Sequence, residues 1–106
     1  MKTITRTEEM IMLSILNLGS NAYLVAIKDY LEKITEKNIS MTSVHLPLSR
    51  LETIGYLNAD MGEATAVRGG RRKKIYSVTK LGMEALEEYK SMSDKLWGDY
   101  LNNTAG

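Results

Sequence analysis

The spacing of apolar residues changes at Gly55, and this change constrains the fold more than any other feature of the sequence. Before Gly55, apolar residues recur every three or four positions, which is typical of helices with one buried face. After it, segments 56–61 and 74–79 alternate approximately between apolar and polar residues, as half-buried strands do. The polar stretch between them contains two adjacent glycines, which favours a hairpin. Helical spacing then returns from about Lys80 to Leu101. The predicted order is three helices, a two-stranded hairpin and a long last helix.

Capping residues and glycines predict the bounds of the first two helices. The first should cover residues 8–18 and stop at Gly19. Apolar side chains surround almost its whole circumference, which indicates burial on more than one side and hence a partner subunit. The second helix should be capped by Ser20 or Asn21 and run to about Lys37. Its expected buried stripe has helical spacing and consists of Tyr23, Ile27, Tyr30, Leu31 and Ile34.

The third helix should be capped by Thr42 or Ser43 and end at Gly55. Pro47 has no backbone donor, so the regular helix should begin nearer His45 or be distorted at the proline. The same spacing predicts its inward edge, which is Val44, Leu48, Leu51 and Gly55.

The last helix carries a broad apolar stripe. Thr79 should cap this helix, and residues 102–106 should fray. Its core positions follow a spacing of four, three and four residues, and large side chains widen the stripe on one side. The stripe consists of Ala85, Leu86, Tyr89, Met92, Leu96, Trp97, Tyr100 and Leu101.

Composition excludes several classes of protein. A chain of 106 residues buries about two-thirds of its surface, enough for one core, so a two-domain enzyme is excluded. No apolar run approaches the ~20 residues that cross a bilayer, and the first residues lack a signal core, so we expect a cytoplasmic protein without membrane contact. The chain has no Cys and one His, which excludes disulfides, thiolate metal clusters and an all-histidine zinc site. We therefore expect neither a metal nor a cofactor.

The net charge of +1 conceals a strong sorting of charge along the chain. Residues 1–41 are neutral, with five basic and five acidic residues. Residues 42–82 carry seven basic residues against three acidic ones, a net charge of +4. Residues 83–106 carry two basic residues against five acidic ones, a net charge of −3. Because a polyanion responds to a local patch, the middle of the chain is the expected site of contact with nucleic acid.

The strongest local signal is the predicted hairpin loop and the start of its return strand, Arg68-Gly69-Gly70-Arg71-Arg72-Lys73-Lys74. Five cations in seven residues on a protruding loop can neutralise phosphates and release counterions. The alternative is a solvated loop that keeps the protein soluble and protects a sheet edge. A nucleotide-binding loop is disfavoured, since the glycines are not followed by Gly-Lys-Ser/Thr.

The third helix would display a polar outer face next to this loop. If its apolar edge points inward, the opposite side carries hydroxyls, one guanidinium and one apolar group, which suit phosphates, guanine edges and thymine methyls. A helix preceded by another helix and followed by a basic hairpin is a helix-turn-helix with a wing. A lone His at the helix start is most often a surface hydrogen-bonding residue, and a base or phosphate contact is the less frequent role. The predicted DNA contacts are Thr42, Ser43, His45, Leu46, Ser49, Arg50 and Thr53 on the helix and Arg68, Arg71, Arg72, Lys73 and Lys74 on the wing.

Two blocks of the sequence resemble the PadR family of bacterial winged-helix transcription regulators. Residues 43–57 look like the recognition-helix signature, which runs Thr-Leu-Tyr-x-x-Leu-x-Arg-Leu and then Gly, a hydrophobic residue and Ile or Leu. Residues 71–86 are similar to the wing return and final-helix start, Arg-Lys-x-Tyr-x-Leu-Thr-x-x-Gly-x-x-x-Leu. The likeness spans residues 8–86, and the second block is the more specific. His45 stands where the family usually has Tyr, and Pro47 is atypical inside the recognition helix.

The resemblance implies an α+β, mostly α fold, a winged helix-turn-helix with a long C-terminal dimerisation helix. Residues 1–79 would form the DNA-binding domain and residues 80–106 the dimerisation helix, within one compact unit. Small members of the family dimerise by packing this helix on the partner's first helix, and some enclose a cavity for flat hydrophobic ligands. The implied function is a homodimeric, ligand-responsive repressor that binds a pseudo-palindromic operator in double-stranded DNA. The partner subunit or a small hydrophobic or aromatic effector would contact Met12, Tyr89, Met92, Leu96, Trp97 and Tyr100.

One alternative function stays open from the sequence. Winged helices also serve as protein-protein interaction modules, and the basic wing would then contact an acidic protein without sequence-specific DNA binding. An enzyme is not supported, because the sequence has neither a nucleophile elbow nor a paired-carboxylate arrangement.

Overall fold

The computed structural model describes residues 2–62 and 73–105, and it has the predicted order of elements. Three helices come first, a two-stranded antiparallel sheet follows, and a long helix ends the chain. The elements are α1 (Arg6–Leu18), a short 3-10 turn (Gly19–Asn21), α2 (Leu24–Thr35), α3 (Met41–Thr53), β1 (Leu57–Met61), β2 (Lys74–Val78) and α4 (Lys80–Ala105).

α1 begins two residues earlier than the sequence pattern predicts, because Thr5 caps it. The Thr5 hydroxyl accepts a hydrogen bond from the Glu8 backbone N–H at 3.1 Å, and the Glu8 carboxylate accepts one from the Thr5 N–H at 2.8 Å. This reciprocal capping box satisfies two donors that a helix start otherwise leaves free. The helix stops at the predicted Gly19, whose φ of 58° favours glycine.

The predicted caps of α2 are wrong. Ser20 and Asn21 lie in the 3-10 turn, and the N-cap is Tyr23, which makes no capping hydrogen bond through its side chain. The helix ends at Thr35 because Glu36 adopts a left-handed conformation with φ 56°. Of the predicted buried stripe, Ile27 and Leu31 lie in the core, Tyr23 and Tyr30 are half-buried, and Ile34 is exposed.

α3 starts earlier than predicted and continues through the proline. Ser40 is its N-cap and accepts a hydrogen bond from the Ser43 N–H at 3.1 Å, so the predicted caps Thr42 and Ser43 lie inside the helix. Pro47 sits in the interior, where it supplies no donor to the carbonyl one turn earlier. Gly55, expected on the inward edge, is exposed beyond the helix end with φ 85°. The other three residues of that edge are buried, namely Val44, Leu48 and Leu51.

The hairpin is attached to the helices through its second strand. β1 and β2 pair antiparallel, with Leu57 opposite Val78 and Met61 opposite Lys74. β2 also forms a bridge from Ile75 to Tyr23, and the Tyr76 N–H donates to the Ala22 carbonyl oxygen at 2.8 Å. The base of the hairpin therefore lies against the start of α2.

One hydrophobic core joins all the helices and both strands. It consists of Ile4, Ile11, Met12, Ile15, Ala22, Ile27, Leu31, Val44, Leu48, Leu51, Tyr56, Leu57, Tyr76, Ala85 and Leu86. The first turns of α4 belong to this core, so the helix is anchored at its N-terminal end.

The start of α4 is capped as predicted. The Thr79 hydroxyl accepts a hydrogen bond from the Gly82 N–H at 3.0 Å and donates one to the Gly55 carbonyl oxygen at 2.7 Å. Gly82 packs directly against the chain at Tyr56, and a Cβ at this position would overlap the Tyr56 carbonyl oxygen and lie 2.9 Å from a Val78 methyl. A side chain at Gly82 therefore forces the backbone apart.

Replacing Gly82 with alanine should lower the free energy of unfolding by about 1–3 kcal/mol, the usual cost of overpacking, despite the better helix propensity of alanine. Thermal unfolding measures the change, at roughly 4–8 °C per kcal/mol for a domain of this size. Gly98→Ala is the matched control in the same helix, because nothing lies within 4 Å of its added Cβ. It should leave stability unchanged or raise it by up to about 1 kcal/mol. Equal melting temperatures for the two variants would contradict the close approach at Gly82.

α4 extends well beyond the body of the protein. Its 26 residues span about 39 Å. The radius of gyration is 16.2 Å, against about 13 Å for a compact domain of this length. The helix continues to Ala105, through most of the segment 102–106 that is predicted to fray. Within the described residues, no helix is both long and apolar enough to cross a membrane.

Candidate nucleic-acid interface

The outer face of α3 is exposed along its whole length. Because its inward edge is buried, the opposite side faces solvent, and even the apolar side chain of Leu46 is 62% exposed. Hydroxyl, imidazole and aliphatic groups of this size match base edges, phosphates and thymine methyls. The exposed residues here are Thr42, Ser43, His45, Leu46, Ser49 and Thr53, and we call them the outer face of α3.

One edge of this face adjoins the base of the hairpin. A groove runs between α3, the start of α2 and the hairpin, and places His45 beside two of the predicted wing cations. It is lined by Tyr23, Leu24, Val25, His45, Lys73, Lys74 and Tyr76. The structure thus brings together residues that the sequence separates by almost thirty positions.

The two cations at the hairpin base are held differently. The Lys73 Nζ lies 4.0 Å from the centroid of the Tyr23 ring, a cation-π contact, and no acidic side chain among the described residues pairs with it. The Lys74 Nζ donates to Glu52 Oε1 at 2.8 Å and lies 5.5 Å from the Tyr76 ring. The hydrogen bond to Glu52 raises the pKa of Lys74, although partial burial opposes it. Lys74 therefore stays charged at neutral pH, but Glu52 offsets much of its charge.

The opposite edge of α3 adjoins α1 and the first residues of the chain. Arg50 was predicted to project from the outer face, and its side chain is indeed partly exposed. Its guanidinium is nevertheless paired with Glu8 of α1, with Nη1 at 2.5 Å from Oε2. The charge of Arg50 is thus compensated within the subunit, and the predicted DNA contact would compete with this ion pair.

Three of the predicted wing residues, Arg68, Arg71 and Arg72, lie outside the described residues. The structure describes the hairpin up to Gly62 and again from Lys73, where the Gly62 N–H donates to the Lys73 carbonyl oxygen at 2.7 Å. Gly62 and Lys73 therefore lie side by side, and Lys73 lines the groove next to the outer face of α3.

A second surface lies on the far part of α4. Its apolar residues from Met92 onward project beyond the core and are all more than half exposed. The Trp97 and Tyr100 rings pack edge to face, with centroids 6.0 Å apart. We call this surface the distal apolar face of α4, and it consists of Met92, Leu96, Trp97, Tyr100 and Leu101.

A second apolar surface, a groove, lies between α1 and α2. Leu13 is 44% and Ile34 is 60% exposed along it. Asn17 Nδ2 donates to the Tyr30 hydroxyl at 3.1 Å and links the two helices there. The α1–α2 groove is lined by Met10, Leu13, Ser14, Asn17, Tyr30, Leu31 and Ile34.

The prediction that Met12 belongs to the dimer or ligand surface is wrong. Its side chain is fully buried in the core of its own subunit, together with Ile11 and Ile15. α1 is apolar almost all round, and the side formed by Leu13 and Leu16 is the one left exposed. Tyr89, predicted for the same surface, is half-buried at the border between the core and the distal part of α4.

A small cavity of about 170 Å³ lies beside Tyr89. Its walls are mostly apolar and come from α4 and from the first residues of the chain, with Lys2 and Glu88 as charged members of the lining. It is lined by Lys2, Thr3, Ile4, Ala85, Glu88, Tyr89 and Met92. Among the described residues no group of three His, Asp or Glu side chains is placed to hold a metal.

The sequence does not reveal four residues that hold the interface in place. They are Tyr23, Glu52, Glu8 and Tyr56. Helical spacing predicts a buried stripe that includes Tyr23, although its position directly before a helical run is also compatible with a cap. Glu52 enters the sequence pattern only as one of the three acidic residues of segment 42–82. The partners of Glu8 and Tyr56 lie 42 and 54 residues away, and no local signal reveals contacts at such separations.

Comparison with known proteins supports one family. The profile of the "Transcriptional regulator PadR-like family" matches residues 12–88. No curated protein shows significant similarity to the chain.

Solved structures share the architecture. A transcriptional regulator from Clostridium thermocellum is 24% identical, with a TM-score of 0.68 over 95% of this chain and 97% of that one. A PadR-like transcriptional regulator from Bacillus cereus is 24% identical, with a TM-score of 0.70 over 93% and 91%. A PadR-like transcription factor from Bacteroides fragilis is 22% identical, with a TM-score of 0.71 over 93% and 92%. At these identities the likeness establishes the fold, a winged helix with a long last helix, and confirms that prediction.

Proposed function

The chain belongs to the PadR-like family of transcriptional regulators, and we propose that it binds a pseudo-palindromic operator in double-stranded DNA as a homodimer. The observation that carries this proposal is the outer face of α3, which is exposed beside a hairpin base that presents Lys73 and Lys74. A recognition helix of this kind enters the major groove, while the wing contacts the backbone or the adjacent minor groove. Residues 1–79 would bind DNA and residues 80–106 would dimerise.

The roles of the proposed contacts follow from their chemistry. Leu46, Ser49 and Thr53 follow one line along the outer face, from the middle of α3 to its end, and would meet base edges or thymine methyls. Thr42, Ser43 and His45 lie nearer the start of the helix and suit phosphate oxygens or base edges at the groove rim. Arg68, Arg71, Arg72, Lys73 and Lys74 of the wing would supply affinity that does not depend on base sequence.

The proposed dimer joins the distal apolar face of α4 to the α1–α2 groove of the partner subunit. Both surfaces are apolar and exposed in the single subunit, and large exposed apolar surfaces mark sites of association. A two-fold dimer presents two copies of α3, so the operator should contain two half-sites about one helical turn apart.

Regulation would act by repression through occupancy of the operator. The effector we propose is a small hydrophobic or aromatic molecule bound near Tyr89 and Met92, where the cavity of about 170 Å³ is large enough for a single aromatic ring. A ligand there would shift α4 relative to the DNA-binding part and change the spacing of the two reading helices. A regulator acting in this way works in the cytoplasm.

Binding to the DNA upstream of the protein's own gene tests the proposal. Fluorescence anisotropy should show tight binding to a duplex with the inverted repeat and much weaker binding when one half-site is scrambled. Ser49→Glu should weaken specific binding by at least about tenfold, because a carboxylate would face the negative groove and lose a base contact. Ser91→Glu, the same exchange at an exposed position of α4, should change affinity by less than about twofold.

The same experiment separates the proposal from its alternative. A folded dimer that binds neither duplex above the level of random DNA would favour the protein-protein interaction module. Equal losses from Ser49→Glu and Ser91→Glu would show that α3 is not the reading helix.

A further inference from the structure

The guanidinium of Arg50 is held by two groups of its own subunit. Nη1 donates to Glu8 Oε2 at 2.5 Å, and Nη2 lies 3.4 Å from the Thr3 carbonyl oxygen. The Arg50 side chain is 43% exposed, whereas that of Glu8 is only 4% exposed. The pair thus joins a partly exposed cation of α3 to a buried anion of α1.

The buried anion depends on both of its partners. The other oxygen of Glu8, Oε1, accepts the Thr5 N–H that closes the capping box of α1. No buried polar side-chain atom of the described residues lacks a hydrogen-bond partner. Because removing the cation from a buried ion pair is strongly destabilising, withdrawing Arg50 from Glu8 carries a large penalty even though the Thr5 hydrogen bond remains.

The same contact fastens the N-terminal arm, which we define as residues 2–5. The arm crosses from α3 to α4, with Ile4 buried in the core. The hydroxyl of Tyr56, the residue directly before β1, donates to the Lys2 carbonyl oxygen. On its other side the arm forms a wall of the cavity that contains Tyr89. Arg50 therefore holds together α3, the start of α1 and a segment that touches α4.

We infer that Arg50 is a positioning residue of the reading helix, which locks α3 onto α1 and the N-terminal arm through Glu8 and does not contact DNA. A phosphate that drew the Arg50 guanidinium away from Glu8 would leave a buried carboxylate without its cation, and this penalty opposes the exchange. The inference rests on the proposed function for the reading role of α3. The contact between Arg50 and Glu8 is present without DNA, so it does not depend on the proposed function.

A double-mutant cycle on Glu8 and Arg50 tests the lock. Arg50→Met should lower the melting temperature by at least about 10 °C, because it leaves a buried charge unpaired. Glu8→Gln keeps an acceptor for the Thr5 N–H and should cost less. The double variant Glu8→Gln/Arg50→Met should recover at least half of the loss caused by Arg50→Met, since no unpaired charge remains. Arg6→Met, at an exposed arginine of α1, is the matched control and should shift the melting temperature by less than about 3 °C.

Operator binding by the double variant tests whether Arg50 touches DNA. The double variant should bind within about threefold of the parent protein, with an unchanged dependence of affinity on salt. A phosphate contact at Arg50 would instead reduce the salt slope by about one for each subunit. A double variant that regains its stability but loses more than about tenfold in affinity, with a lower slope, overturns the inference.

The melting temperatures test the coupling of Glu8 and Arg50 independently of the DNA-binding measurements. If the double variant melts as low as Arg50→Met, the two residues are not coupled and the inference is wrong. If Arg50→Met does not fold at all, recovery of a cooperative transition in the double variant still supports the lock. A parent protein that binds no operator refutes the proposed function, and the melting temperatures then still decide whether Arg50 locks α3.

Discussion

Affinity for the operator should fall by roughly three to four orders of magnitude when salt rises from 50 to 200 mM. The wing contributes five cations to each subunit, and Lys74 is partly neutralised by Glu52. The remaining four give about eight phosphate contacts per dimer, within the range that produces a loss of this size. The total charge of +1 per subunit would not produce it, so a steep salt dependence would identify local contacts.

Anisotropy titrations at four or five salt concentrations measure the slope of log affinity against log salt concentration directly. Arg71→Ala/Arg72→Ala should lower the slope by about three to four, because each dimer loses four contacts. Its affinity for scrambled DNA should fall in parallel, since phosphate contacts carry no sequence information. Lys37→Ala/Lys33→Ala, which removes two exposed cations near the end of α2, is the control and should leave the slope within about one of the parent. Weak binding that changes little with salt would argue against a DNA-binding wing.

Charging the distal apolar face of α4 should convert the proposed dimer to monomers. Leu96 and Trp97 are 67% and 61% exposed in the single subunit, so Leu96→Glu/Trp97→Glu should leave the fold of each subunit intact. In the dimer, the same positions would lie against the apolar α1–α2 groove of the partner. Burying an unpaired carboxylate there costs several kcal/mol, and the dimer would contain four of them. The dimer dissociation constant should therefore rise by at least about a thousandfold.

Sedimentation equilibrium and circular dichroism check this expectation together. The variant should sediment as a monomer with the helix content of the parent protein. Operator affinity should fall by at least about a hundredfold, because the two half-sites would be bound independently. Ser91→Glu, on the opposite side of α4, should remain dimeric. A variant that stays dimeric, or a parent that is already monomeric, would show that this face does not mediate dimerisation.

The outcome at α3 shows why boundaries were harder to predict than elements. Three hydroxyl residues, Ser40, Thr42 and Ser43, stand close to the start of the helix, and each is a competent cap. The path by which the chain arrives from α2 selects Ser40, and the local sequence does not contain that path. The same applies to α2, where the pairing of Tyr23 with the hairpin moves the start beyond Ser20 and Asn21.

Met12 illustrates a second limit of prediction from sequence. An apolar pattern shows that a helix is buried, but on a helix that is apolar almost all round it does not show which side faces the subunit's own core. Packing against α2, α3 and α4 buries Met12 and leaves Leu13 and Leu16 exposed. The expectation of a partner at α1 stays a prediction, and the exposed side formed by Leu13 and Leu16, which adjoins Met12, is the surface available for it.

The sequence by itself determined the order and type of the elements, the basic hairpin and the exposed outer face of α3. These features follow from the period of apolar residues and from local turn and capping chemistry, which act over a few positions. Only the tertiary structure decided that Lys74 is paired with Glu52, that Tyr23 supports Lys73, and that Arg50 turns to Glu8. Those pairings join residues between 22 and 50 positions apart along the chain, and they form because the packing of the core brings α1, α3 and the hairpin base together. A cation that the sequence predicts to be free for DNA contact can therefore form an ion pair within the folded subunit.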